Sequence, residues 1–194
     1  TVPTPLLTDT ITSDALGGEI RLAATLEDYF NGSAVDLTRW ITGTAYEWYT
    51  VPPSVANGVL TLDSAYLRSQ VNLQPVQPRF FEAYAQERIN DDPAGWPDLG
   101  FYRELYPLDP NAITSTSSIR LFVARNDNSS FVRARDGDES APLIDQDIPE
   151  IDLSQYHLFR IEWDMAETRF YVDGVLEATL TGTISLNSWV FLYQ

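Results

Sequence analysis

Apolar and polar residues alternate with a period of two along much of this chain, and helical spacing is scarce. The clearest block runs from Phe159 to Leu180. Phe159, Ile161 and Trp163 alternate with Arg160, Glu162 and Asp164. After a turn around Met165–Thr168, Phe170 and Val172 alternate with Arg169 and Tyr171. Asp173-Gly174 offers the left-handed backbone that a two-residue hairpin needs. Val175–Leu180 then returns with Leu176, Ala178 and Leu180 on one face, which predicts a three-stranded meander. Asn57-Gly58, between Val55 and Leu60, predicts a second hairpin. Ser118–Ala124 and Phe131–Arg135, on either side of Asn126-Asp127-Asn128, predict a third, with Ile119, Leu121 and Val123 sharing a face. Phe80–Ile89 mixes strand-forming and helix-forming residues. Its alternating Phe81, Ala83 and Ala85, and its strand neighbours, favour a strand. Loops are expected at Asp91–Asp98, Pro107–Thr116 and Asp136–Ser154. Short strands throughout, with no internal repeat, predict an all-β, antiparallel β-sandwich. Residues 1–25 read as an N-terminal linker or extended segment and 26–194 as one β-sandwich domain.

Composition narrows the chemistry. Of 194 residues, 44% are apolar, enough for a sizeable core. The longest apolar runs are a few residues, against the roughly 20 of a spanning helix, so no membrane insertion is expected. The 12 basic and 28 acidic residues leave a net charge of −16, which argues against nucleic acid and anionic lipid as partners. There is no cysteine, so disulfides, thiolate zinc sites and a cysteine nucleophile are excluded. Lysine is also missing, which removes Schiff-base and P-loop chemistry. The only histidine is His157, so a Ser-His-Asp triad has little to draw on. The opening Thr1-Val2-Pro3-Thr4-Pro5, the acidic surface and the missing cysteine suit an extracellular or cell-surface bacterial domain.

Certain residues carry a family resemblance. Asp28-Tyr29-Phe30-Asn31-Gly32, then Val35-Asp36-Leu37 and Trp40, resembles the opening motif of concanavalin A-like jelly-roll domains. Family 16 glycoside hydrolases and laminin-G-like modules share that fold class. Asn57-Gly58-Val59-Leu60-Thr61-Leu62 is similar to the strand that follows there. Tyr156-His157-Leu158-Phe159-Arg160-Ile161-Glu162-Trp163, then Phe170-Tyr171-Val172-Asp173-Gly174, resembles the family's late pair of strands. The matches span about residues 25 to 180. They imply a concanavalin A-like jelly roll, a fold that hosts hydrolases, lectins and inert modules alike. The resemblance also implies a closing strand after the segment that ends at Gln194. That leaves Leu6–Thr25 or a neighbouring chain as candidates to complete the sheet.

Retaining glycosidases need two carboxylates about 5 Å apart. The resemblance implies that they stand on one strand, two residues apart and so on one face. Glu150-Ile151-Asp152-Leu153-Ser154-Gln155 approximates such a motif, but Gln155 stands where an acid is needed, and the segment precedes Tyr156-His157, where the family has a connecting loop. The place of the catalytic strand is taken by Ser118–Arg125, which carries no carboxylate. A catalytic role is therefore not expected. Other acidic clusters are Asp91-Asp92 with Asp98, Asp136-Gly137-Asp138-Glu139, and Asp145-Gln146-Asp147. The second could hold Ca²⁺ through its oxygens around a Gly turn, but it lacks EF-hand spacing, and a solvated acidic loop is the favoured reading. No other cofactor is indicated. His157 reads as a packed or hydrogen-bonded strand-end residue.

Sugar-binding faces stack aromatic rings on pyranose CH groups, beside polar groups that fix orientation. Trp40 and Trp163 fall in the fold motifs and are expected in the core. Two further aromatic clusters, Tyr46-Glu47-Trp48-Tyr49 and Trp96-Pro97 with Phe101–Tyr106, supply the candidate ligand-binding residues Trp48, Trp96, Tyr102, Arg103 and Tyr106. Arg125, Arg133 and Arg135 could line the same groove. The expectation is a non-catalytic, lectin-like module whose partner is carbohydrate. The alternative is a structural or adhesive domain of a surface protein or fibre, whose partners are neighbouring domains or chains. A glycoside hydrolase ranks third.

Overall fold

Strands account for nearly all the regular structure in a computed structural model of the chain. It describes residues 10–12, 20–22, 25–26, 28–44, 51–71, 73, 79–86, 98–103, 118–124, 130–135, 144–164, 166–181 and 189–193. In chain order the first strands are β1 (Thr10–Thr12), β2 (Ile20–Leu22), β3 (Trp40–Thr44), β4 (Ser54–Ala56) and β5 (Val59–Thr61). Then come β6 (Ala65–Ser69), β7 (Arg79–Ala85), β8 (Asp98–Arg103), β9 (Ser118–Ala124) and β10 (Ser130–Arg135). The last are β11 (Ile144–Ile148), β12 (His157–Trp163), β13 (Glu167–Val172), β14 (Val175–Thr181) and β15 (Trp189–Tyr193). Among the described residues no helix is long and apolar enough to cross a membrane.

Two antiparallel sheets form the body of the fold. One has seven strands in the order β11-β10-β9-β8-β15-β6-β3, the other four in the order β14-β13-β12-β7. β1 pairs with β2, and β4 with β5, as separate two-stranded sheets. The last described strand, β15, lies inside the seven-stranded sheet, bonded to β8 on one side and β6 on the other.

The alternating residues of the meander explain the packing. Phe81, Phe159, Ile161, Trp163, Phe170 and Val172 turn one face of the small sheet inward, against Leu99, Phe101, Phe122, Val132 and Ala134 of the large one. Phe122 meets Phe159 and Phe170 edge-on at 5.1 and 5.3 Å between ring centroids, and Phe101 lies 5.9 Å from Trp163. The two Phe122 contacts are edge-to-face, which suits the ring quadrupoles. Trp40 is buried as expected. Its Nε1 donates to Asp28 Oδ2 at 2.8 Å while Asp28 Oδ1 accepts from the Phe30 N–H, so the opening motif is a tie between a loop and β3.

The expected hairpins form. Asn57 and Gly58 both take positive φ, 53° and 76°, between β4 and β5, as do Asp173 and Gly174 between β13 and β14. β9 pairs with β10 as predicted, and 79–85 is a strand. Three expectations need correction. The stretch 136–154 is not all loop: β11 lies within it as an edge strand, exposed except for Ile148. Asp98 belongs to a strand and not to a solvated loop. Leu176 does not share a face with Ala178 and Leu180: a bulge between Phe170 and Tyr171 pairs Tyr171 with Leu176, which is half exposed while the other two are buried.

Candidate functional site

The outer face of the seven-stranded sheet, opposite the core, is where polar and aromatic positions converge. Leu99 and Phe101 of β8 enter the core, so Asp98 and Gly100, which alternate with them, take the outer register. Pairing extends two rows across all seven strands. One row holds Gly43, Tyr66, Tyr193, Asp98, Val123, Phe131 and Asp147. The next holds Ile41, Arg68, Phe191, Gly100, Leu121, Arg133 and Asp145. Gly100, on the central strand β8, carries no side chain in that row and is itself buried.

Asp98 dominates this face chemically. It is only 8% exposed, although its register turns it away from the interior, and its Oδ1 has no hydrogen-bond partner. Desolvation pushes its carboxyl up to about 7; the nearby Arg133 opposes the shift and Asp145 adds to it. Arg133 does not offer its fork to Asp98. Its Nε and Nη2 donate to the two carboxylate oxygens of Asp145 at 2.8 and 2.9 Å. That bidentate pair joins β10 to β11 and satisfies both charges.

Two strands away in the same row, Tyr66 lies flat over its cross-strand partner Gly43. A Cβ at position 43 would collide with the end of the tyrosine ring, so the glycine is what admits it. A strand spacing of about 4.8 Å puts Tyr66 and Asp98 about 10 Å apart along the row.

Of the five residues expected to bind ligand, Trp48, Trp96 and Tyr106 lie outside the described residues. Tyr102 and Arg103 are in β8, with their side chains outside the description. Tyr102 occupies the outer register two residues beyond Gly100, paired to Trp189 and Ile119; Arg103 occupies the opposite register. Sequence reasoning undervalued Asp98, because an acid beside Asp91-Asp92 in a Pro/Gly-rich stretch looks solvated. It missed Tyr66 outright. The near-match at 150–155 proves structural: Ile151 and Leu153 are buried, and Asp152 Oδ1 accepts from the backbone and hydroxyl of Ser154. No group of three or more metal-ligating side chains occurs among the described residues; 136–139 lie outside them.

The chain has an antiparallel β-sandwich, jelly-roll architecture. No family model matches the chain, and no curated protein matches it. Solved structures do. A LamA variant from Z. galactanivorans in complex with laminaritriose and laminaritetraose superposes with a TM-score of 0.59 at 13% identity, over 85% of each chain. A glycosyl hydrolase family protein from Mycobacterium fortuitum gives 0.56 at 14% identity, again over 85% of each chain. The endo-beta-1,3-glucanase from Pyrococcus furiosus gives 0.54 at 15%, over 95% of this chain and 86% of the other. Identities this low establish a shared fold.

Proposed function

We propose that this chain is a carbohydrate-binding module that takes a glucan-like oligosaccharide across the outer face of its seven-stranded sheet and does not cleave it. The observation that carries this reading is the partly exposed Tyr66 ring that rests on Gly43 on the outer face of the sheet. The CH face of a pyranose is what such a ring can stack against. The laminari-oligosaccharides bound by the LamA variant on the same fold support the ligand class. The charge balance fits as well, since a neutral sugar needs no basic stripe. Against cleavage stands the lack, among the described residues, of a carboxylate pair suited to it: retaining hydrolysis needs two carboxylates about 5–5.5 Å apart and able to act, and Asp145, whose charge reaches Asp98, is held at both oxygens by Arg133. An exported, cell-surface setting belongs to the same proposal.

The test is a glycan array on the purified chain, followed by titration calorimetry with laminaritetraose and by a reducing-sugar assay on laminarin. Binding without release of reducing ends supports the proposal. Release of reducing ends that Asp98→Asn abolishes overturns its non-catalytic half. No binding to any glycan overturns it altogether and leaves the structural or adhesive reading.

A further inference from the structure

We propose that β7 is a docking edge for a second copy of this chain: two β7 strands pair antiparallel about Glu82 and join their four-stranded sheets into one continuous sheet. The inference is independent of the carbohydrate reading and concerns the opposite sheet.

β7 ends the four-stranded sheet. It bonds to β12 on one side, and among the described residues no strand pairs with its other side. Edge strands that resist pairing are short or bulged, or carry Pro or Lys. β7 has seven residues, Arg79–Ala85, with no Pro, Gly or Lys among them, and it runs along β12 without a bulge. Its outward positions are Phe80, Glu82 and Tyr84, and the two rings are 64% and 70% exposed. Tyr84 stacks on Tyr156, with centroids 5.1 Å apart and planes 22° apart. Tyr156 comes from the β12 side, so one face of Tyr84 is covered from within the sheet and the other is turned to the open edge.

A second β7 supplies the missing neighbour. Laid antiparallel with all seven residues paired, the two strands meet at their midpoint, Glu82, on a two-fold axis. Phe80 of each copy then faces Tyr84 of the other. On the inner face Phe81 meets Ala83, so core positions continue into core positions. A shift of two residues in either direction puts Phe80 or Tyr84 opposite Glu82 and leaves two residues of each strand unpaired. Aromatic cross-strand pairs stabilise an antiparallel ladder, and like charges directly opposite weaken it. The one unfavourable pair is Glu82 against Glu82. Arg160, the cross-strand partner of each Glu82, stands one strand behind and offsets part of that repulsion, although Glu162 shares it. Because both copies use the same strand, the contact closes at a dimer and leaves no β7 edge for a third copy.

The chain has no cysteine, so a single introduced thiol reports the register. Directly opposite residues of an antiparallel pair have Cα atoms about 4.5–5.5 Å apart, inside the range that a disulfide spans. Glu82→Cys should link to itself under mild oxidation. Phe80→Cys should link to Tyr84→Cys and not to itself. All three positions are exposed, so these variants leave the core intact. Sedimentation velocity over a range of concentrations should show a monomer–dimer equilibrium for the wild type. It is run at about 0.15 M salt, where a Debye length of about 8 Å screens the repulsion between two chains of net charge −16. Tyr84→Ala removes two ring pairs and should weaken the dimer about tenfold or more. Glu82→Gln removes the like-charge pair and should tighten it severalfold. A wild type that is monomeric throughout, with Glu82→Cys unlinked, overturns the proposal. So does Phe80→Cys linking to itself as fast as Glu82→Cys, because random collision then explains both. A dimer indifferent to Tyr84→Ala overturns it too, because its interface lies elsewhere. A monomer whose outward β7 amides resist hydrogen exchange means that another segment of the same chain covers the edge. A monomer whose glycan binding falls in Tyr84→Ala makes this face a sugar platform. Either result also overturns the dimer.

Discussion

Replacing His157 should weaken the fold in acid and matter much less in base. The imidazole sits at the start of β12 with both nitrogens engaged: Nδ1 lies 2.7 Å from Asp173 Oδ2, and Nε2 lies 2.9 Å from the Asp152 carbonyl oxygen. Both neighbours are acceptors, so only the doubly protonated ring donates to both. The bond to Asp173 holds the His157 proton above its usual range, against a smaller opposing effect of burial; the Asp152 carbonyl and the two acidic charges add to the rise. Asp173 is held below its usual range, first by the Leu158 N–H that donates to its Oδ1 and then by His157. The signs follow from linkage. A raised histidine contributes stability that is whole below its unfolded value of 6.5 and is lost as pH climbs through the folded one. A lowered aspartate contributes stability that is whole above 3.8 and is lost as pH falls through its folded value. The contact therefore contributes fully only between about 4 and 6.5.

A hydrogen bond between charged partners contributes about 1.5–3 kcal/mol. The Asp173 side chain is 54% exposed, and solvent screening reduces the expected loss for His157→Ala to about 1 kcal/mol. In a chain of this size that is a midpoint about 2–4 °C lower. Urea unfolding and thermal melts of wild type, His157→Ala, Asp173→Asn and the double variant, at pH 5.5 and 8.5, measure it. The gap between wild type and His157→Ala should be open at pH 5.5 and largely closed at pH 8.5. A gap that stays the same or widens at pH 8.5 would refute the reasoning, because the imidazolium would then not be the stabilising species.

Two other substitutions probe the architecture. Gly43→Ala should force the Tyr66 ring off the sheet, leave the fold standing, and weaken oligosaccharide binding about tenfold, the equivalent of one lost ring stack; calorimetry that finds the affinity unchanged removes Tyr66 from the site. Trp40→Phe keeps the ring against Phe30 but deletes the Nε1 bond to Asp28, so denaturant unfolding should show a loss of about 1 kcal/mol, and an unmoved midpoint would mean that the Asp28 tie is not holding β3.

The fold was legible where strands bury one face and turn with Asn-Gly or Asp-Gly. Phe159, Ile161 and Trp163 state their register openly, and Asp28 with Trp40 marks the start of the domain. Legibility failed where local pattern and burial part company. β11 reads as an acidic loop because an edge strand can expose Asp145, Gln146 and Asp147 and bury little but Ile148. The face of Leu176 was misread because a bulge leaves no mark in composition and flips every position beyond it. Ile119, Leu121 and Val123 do share a face, but the aromatic contacts to the small sheet come from Phe122 on the other. The site was the least visible part. Tyr66 and Asp98 are 32 positions apart in sequence and become neighbours only because β15 runs between their strands, and no period-two pattern reports which distant strands pair.

That placement of β15 also sets an order of events for the chain. β8 to β11 can zip together from neighbouring segments, and so can β6 with β3, but within the large sheet the two groups join only through β15. The Val190 N–H, for example, donates to Ser69 Oγ from 121 residues away. Contacts of that span are slow to form, because loop-closure entropy comes due before any pairing repays it. During synthesis the outer-face rows, and with them the pairing of the Tyr66 and Asp98 strands, therefore wait until residues 189–193 have left the ribosome. Until then β6 and β8 each present an open edge. The large sheet should accordingly close in a late step, after its two groups of strands have formed.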